Sequence, residues 1–288
     1  MPTIHHHISE LRLALRPYRT AQRIALVPTM GNLHDGHLEL VKIAKQHADI
    51  VVVSIFVNPT QFGVGEDFDS YPRTLEEDVA KLATVGADYV FAPTIDEMYP
   101  VLPPPTSVLT GAITEQLCGK TRPTHFDGVG IVVSKLFNIV QPDVAIFGQK
   151  DYQQLAIIKQ LVRDLSYPIE IIGAPIVRAT DGLALSSRNQ YLSESERKTA
   201  PILQQELQYL AKQIGDNQQP LDMLLVAARE RMTSAGFIID YLEVKTAELT
   251  AVGDESINNH QDLVILVAAW LGRARLLDNQ LVKINKIR

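Results

Sequence analysis

The chain has 288 residues, 46% hydrophobic and 21% charged, with a formal net charge of -6. That is the profile of a globular protein with enough apolar residue for one large or two ordinary domains. The acidic balance argues against a nucleic-acid binder, which would show a basic face; the single cysteine, Cys118, excludes an intrachain disulfide and any cysteine-rich metal site and fits a reducing cytoplasm.

At the start, Arg12, Arg16 and Arg19 interrupt any apolar signal segment, and the three histidines at 5–7 read as solvated side chains. From Arg23 apolar runs alternate with amphipathic stretches. "IALVP" leads through a turn into a helix ending near Ala48; "DIVVVSIFV" is a strand and "TLEEDVAKLATVG" a helix. "ADYVFAP" is a strand, "GVGIVVSKLFNIV" a helix, "PDVAIFG" a strand, "DYQQLAIIKQLVRDL" a helix and "IEIIGAPIV" a strand. Such alternation, with strands apolar on both faces, implies a parallel, doubly wound, Rossmann-like α/β domain over residues 1–176.

The alternation stops near residue 177. Two helices, Glu194–Ile214 and Pro220–Ala235, then precede three strand-like runs, "FIIDYLEVKTA", "DLVILVAAW" and "NQLVKINK". Residues 177–288 therefore read as a smaller α+β domain with an antiparallel sheet. The longest apolar run there, "LVILVAAWLG", is about half of the ~20 residues a membrane span needs, so no membrane is expected.

Ligands of a parallel sheet sit beyond the carboxyl ends of its strands, so the residues after each strand are the candidates. After the first come Met30, Gly31, His34, Gly36 and His37; after the second come Asn58 and Gln61. Later strands are followed by Gln149, Lys150 and Asp151, and by Arg178 and then Ser186, Ser187 and Arg188. Glycines let main-chain N–H groups approach a ligand. His34 and His37, at a helix N-terminus, suit a polyphosphate and, protonated, its transition state. Lys150 and Arg188 are phosphate-binding cations, whereas the amides of Asn58, Gln61 and Gln154 suit hydroxyls and carboxylates. A zinc site at His34 and His37 lacks a third ligand, and their spacing of three is poor for one helix face. Neither a P-loop nor a G-x-G-x-x-G fingerprint follows the first strand.

An H-x-G-H turn paired with a later Ser/Arg loop is similar to the nucleotidyltransferase superfamily. Within it the chain resembles the pantoate–β-alanine ligase family through "VPTMGNLHDGH" at 27–37, "VSIFVNPTQF" at 53–62, "YPRTLEED" at 71–78 and "HFDGV" at 125–129. "KLFNIVQPD" at 135–143, "FGQKDYQQL" at 147–155, "DGLALSSRN" at 181–189 and "VILVAAWLGRARLLDN" at 264–279 extend the resemblance over essentially the whole chain.

The resemblance implies ATP-dependent condensation of pantoate with β-alanine through pantoyl adenylate. It implies ATP contacts at Met30, Gly31, Asn32, Leu33, His34, Asp35, Gly36 and His37, at Gly148, Gln149, Lys150 and Asp151, at Val177, and at Leu185, Ser186, Ser187 and Arg188. Among these His37, the proton donor, His34 and Lys150 would be catalytic. Gln61 and Gln154 would bind pantoate, with Gln61 also near β-alanine and Asn58 assisting. Magnesium would ride on ATP oxygens and water, with no protein ligand; Glu77 and Asp78 read as a solvated carboxylate pair. A cytoplasmic homodimer joined through the first domain, with the second as a lid, completes the implied picture. An adenylyltransferase for a phosphorylated acceptor would want further basic residues, and a non-catalytic nucleotide sensor would not need two histidines, a lysine and an arginine facing phosphate.

Overall fold

The computed structural model describes residues 1–216, 219–252 and 262–282. The first unit comprises residues 1–149 and 153–175, the second 150–152 and 176–288. The chain thus changes unit near residue 176, and Lys150, Asp151 and Tyr152 group with the later residues rather than with the flanking chain.

In the first unit, β1 (Thr3–His5) and α1 (Ile8–Leu15) precede β2 (Ile24–Thr29), α2 (Asp35–His47), β3 (Ile50–Ile55), α3 (Leu75–Thr84), β4 (Tyr89–Phe91) and α4 (Ile95–Met98). Then follow α5 (Leu117–Thr121), α6 (His125–Val140), β5 (Val144–Gly148), α7 (Tyr152–Asp164, from its second residue) and β6 (Glu170–Ala174). All six strands are parallel, in the order β1-β4-β3-β2-β5-β6. From β2 the chain builds outward through β3 and β4, then returns to the other side of β2 with β5 and β6. The strand order therefore reverses between β2 and β5, where an open parallel sheet forms its ligand crevice. Pairing of β2 with β5 stops at Leu26, although β2 follows β3 as far as Thr29. Pro28, which has no N–H to donate, lies in the stretch left unpaired on that side.

β1 and α1 were not expected. Of the histidines at 5–7, His6 and His7 are exposed, as expected, although His6 Nδ1 meets the Ala92 carbonyl at 2.6 Å and His7 Nδ1 meets Glu97 at 3.0 Å; His5, half-buried, instead closes the β1–β4 ladder opposite Phe91. The α6 helix forms in spite of its β-branched run because 13 of its 16 residues are buried, so packing rather than propensity decides.

In the second unit, α8 (Glu194–Thr199), α9 (Ile202–Gly215) and α10 (Leu221–Ser234) precede β7 (Ile238–Thr246), β8 (Leu263–Leu271) and β9 (Ala274–Val282), an antiparallel sheet in that order. The single helix expected over Glu194–Ile214 is two, because Pro201 cannot donate to the preceding turn and starts a new one. The last strand begins five residues before "NQLVKINK", directly after the turn that ends β8; the "KINK" end of that run lies outside the described residues. Leu203, Leu207, Met232, Phe237, Ile265 and Leu276 belong to this unit's own core. Among the described residues no helix is long and apolar enough to cross a membrane.

Candidate active site

The H-x-G-H turn is organised by its own side chains. His34, the N-cap of α2, accepts the Gly36 N–H at Nδ1 (3.1 Å), and His37 Nδ1 accepts the His34 N–H (3.3 Å), a reciprocal capping box built of two imidazoles. A ring nitrogen that accepts carries no proton, so each neutral ring holds its hydrogen on Nε2. In the neutral form each Nδ1 thus serves as an acceptor of the cap.

The preceding loop is held from below. Gly31 has φ +84°, a conformation only glycine takes readily, and Asn32 follows at +50°. Together they turn successive N–H groups toward Asp78, whose Oδ2 accepts from Asn32 (2.9 Å) and Oδ1 from Leu33 (2.7 Å). Thr74 adds its hydroxyl at 3.2 Å, and Lys81, one helical turn on, donates to the Leu33 carbonyl at 2.8 Å. Asp78 is fully buried, while Glu77 is exposed, so the solvated carboxylate pair is corrected to one surface residue and one structural anion. Sequence spacing could not separate them, because only the three-dimensional approach of α3 to the loop distinguishes adjacent acids. The main-chain amides of Asn32 and Leu33 are thus engaged by Asp78, and those of His34 and Gly36 by the two imidazoles.

Gln61 lies beside this turn. Its Nε2 meets Met30 Sδ at 3.2 Å and its Oε1 accepts from Asn58 Nδ2 at 3.0 Å. Asn58, 1% exposed, also donates to the Gly128 carbonyl (3.0 Å), and its Oδ1 accepts from the Tyr99 hydroxyl (2.9 Å) and Thr60 (3.0 Å). The Pro59–Gln61 turn rests directly on α6 at Gly128, where an added Cβ would sit 2.1 Å from the Thr60 carbonyl oxygen. From the other side His125 Nδ1 donates to the Gln61 carbonyl at 2.7 Å and its Nε2 accepts from Arg122 at 3.0 Å, fixing a neutral ring. Arg122 in turn clasps Glu66 through two bonds of 2.7 and 2.6 Å. Burial pushes the Glu66 carboxyl up, but the Arg122 hydrogen bond and charge override it, with help from the Gly63 amide, and hold it below the usual carboxylate range. This chain of positioning groups went unassigned, although "HFDGV" and "NPTQF" both contain parts of it.

Beyond β5, Gly148 and Gln149 are half-buried, and Gln149 donates to the Gly173 carbonyl on β6 at 3.3 Å. Gln154 is half-buried in the first turn of α7.

In the second unit, Lys150 Nζ lies 3.6 Å from Asp151 Oδ2. Val177 and Leu185 face each other across a small hairpin, the Leu185 N–H reaching the Val177 carbonyl at 3.0 Å. Ser186 caps the following turn by accepting the Arg188 N–H at 3.3 Å, and Ser186, Ser187 and Arg188 are all half-buried.

A doubly wound sheet carrying two capping imidazoles beyond its central strand, with amides next to them, defines a nucleotide-handling α/β enzyme. The comparisons make the family specific. The Pantoate-beta-alanine ligase family matches residues 3–281. A pantothenate synthetase from Psychrobacter cryohalolentis is 90% identical over 287 residues, covering 100% of both chains. The crystal structure of pantothenate synthetase from Thermus thermophilus superposes with a TM-score of 0.88 at 43% identity, covering 96% of this chain and 98% of that one. A Francisella tularensis pantoate-beta-alanine ligase, complexed with beta-gamma ATP and beta-alanine, gives 0.81 at 34% identity over 98% of each chain. The chain belongs to the pantoate–β-alanine ligase family and is a ligase.

Proposed function

We infer that the protein joins pantoate to β-alanine at the expense of ATP, by way of a pantoyl adenylate. A pantoate carboxylate oxygen attacks the α-phosphorus and pyrophosphate leaves. The β-alanine amine then attacks the acyl carbon, and AMP departs with the oxygen that came from pantoate. Neither displacement requires a nucleophilic side chain; both require alignment and donors aimed at developing negative charge.

His34 and His37 meet the phosphates, with His37 as the proton donor, within an ATP set of Met30–His37. Gly148, Gln149, Lys150 and Asp151, with Val177 and Leu185–Arg188, complete the nucleotide contacts, Lys150 and Arg188 carrying the positive charge. Gln61 and Gln154 take pantoate, and Gln61 also adjoins β-alanine. The observation that carries this reading is Gln61 held against Met30, the first residue of the H-x-G-H loop: a neutral amide fit for a hydroxy acid adjoins the donors fit for phosphate. The ATP and β-alanine named for the Francisella relative support the same pairing.

Magnesium fits this site as part of the nucleotide. Asp78 directs its oxygens at main-chain amides, and among the described residues no three His, Cys, Asp or Glu side chains are grouped to hold a metal ion. On this reading ATP oxygens and water would carry it, neutralising phosphate charge. The one cysteine, Cys118, buried and outside any disulfide, suits the reducing cytoplasm that we assign to the protein. A homodimer joined through residues 1–176, with 177–288 as the lid, belongs to the same reading.

The test is isotopic. Pantoate labelled with oxygen-18 in its carboxylate should deliver one labelled oxygen to AMP and none to pyrophosphate. Unlabelled AMP would contradict an acyl adenylate.

A further inference from the structure

Lys150 is anchored by the second unit's own sheet. Asn279 on β9, 5% exposed, donates its side-chain amide to the Lys150 carbonyl at 2.9 Å. Two residues on, the Tyr152 hydroxyl donates to the Ala247 carbonyl at 3.0 Å. These bonds give a physical reason why residues 150–152 group with residues 176–288.

The neighbouring Asp278 performs a parallel task. It is 4% exposed and accepts both guanidinium branches of Arg178, at 2.6 and 2.9 Å, together with the Asn279 N–H at 2.7 Å. Arg178 also donates to the Gly182 carbonyl at 3.1 Å and pairs with Ala184 across the hairpin. That hairpin carries Val177 and Leu185 and runs straight into Ser186, Ser187 and Arg188. Successive residues of a strand point to opposite faces, so two adjacent positions of β9 fix two segments that are 27 or more residues apart in sequence (150 against 177). A buried ion pair stabilises little more than an apolar replacement would, whereas it fixes orientation well.

We propose that Asp278 and Asn279 are positioning residues of the ligase. Asn279 sets the main chain of Lys150, and Asp278, through Arg178, sets the hairpin that presents Ser186–Arg188. The lysine and the Ser-Ser-Arg turn are thereby held in one register before nucleotide binds. This rests on the assignment of Lys150 and Ser186–Arg188 to ATP made above.

The test is Asn279→Asp, which keeps the shape but turns a donor into an acceptor against the Lys150 carbonyl. Pantoate-dependent exchange of pyrophosphate into ATP should lose about 10- to 100-fold in kcat, the scale of a small misplacement of a catalytic group, with KM for pantoate within about twofold of wild type. The new carboxyl would face the Lys150 carbonyl, while Asp278 and Arg178 hold the main-chain N–H and carbonyl of residue 279 itself. When protonated that carboxyl regains an O–H donor, so the ratio of variant to wild-type rate should climb as pH falls, whereas Asn279→Ala should give a reduced, flat ratio. Should Asn279→Asp not fold, Asn279→Ala and Asp278→Asn carry the test through the same split between kcat and KM. Wild-type kcat in the folded variants, a loss confined to KM for pantoate, or identical pH profiles for the Asp and Ala variants would overturn the positioning role. Absence of exchange in the wild type, or full exchange in Lys150→Ala, would overturn the site assignment itself, so the two failures are distinguishable.

Discussion

His34 and His37 cap one helix reciprocally, each accepting a main-chain N–H at Nδ1, with ring centroids 4.1 Å apart. The same contacts that start α2 turn each Nδ1 to the main chain, so helix capping and ring orientation are coupled in one pair of side chains. On the proposed reading the two rings would meet the phosphates from positions the fold has already fixed, the condition under which preorganised groups act most strongly on developing charge.

Replacing His37 by alanine should therefore have two separable effects. Exchange activity should fall about 100- to 1000-fold, as for loss of a transition-state donor. Stability should fall by only about 1 kcal/mol, as for loss of a helix cap. Steady-state kinetics and urea unfolding of one preparation check both; near-wild-type turnover would remove His37 from the mechanism.

Asp78 should behave in the opposite way, as a residue of the scaffold whose loss reaches the site indirectly. Asp78→Ala leaves the Asn32 and Leu33 amides without their acceptor, each such buried group costing about 1–3 kcal/mol. Urea unfolding should move to clearly lower denaturant, with activity lost as the loop relaxes. An unchanged midpoint would show that the carboxylate does not hold the loop.

Gly128→Ala tests how Gln61 is placed. The added Cβ meets main chain, not a flexible side-chain end, so α6 and the Pro59–Gln61 turn must separate. Overpacking of this kind costs about 1–3 kcal/mol, and the displaced Gln61 should raise KM for pantoate. Thermal unfolding together with a pantoate titration reads both effects.

The Arg122–Glu66 pair gives a pH dependence of known sign. The folded-state pKa of Glu66 lies below its ordinary value, so its contribution is present above that ordinary value and is lost as pH falls through the depressed one. The stability difference between wild type and Glu66→Gln should thus be full at neutral pH and vanish in acid. A difference that persists unchanged below the carboxylate range would assign it to something other than ionisation.

Much of the first unit was legible because apolar runs such as "DIVVVSIFV" announce strands buried on both faces, and the candidates His34, His37 and Gln61 do lie just beyond the ends of β2 and β3. Local pattern could not show β1, a three-residue strand stabilised by pairing with β4 rather than by its own composition. Nor could it separate Glu77 from Asp78, or link Asn279 to Lys150, since both distinctions depend on which distant segment each side chain meets. The break at Pro201 was readable, because proline's missing N–H is a local property, yet the amphipathic spacing continuing past it masked the boundary.

The measurement that tests the account most directly is exchange of labelled pyrophosphate into ATP, with MgATP and pantoate present and β-alanine omitted. A reversible pantoyl adenylate requires label in ATP whenever pantoate is supplied and none without it. No pantoate-dependent exchange in folded protein that binds ATP would contradict the proposed first step.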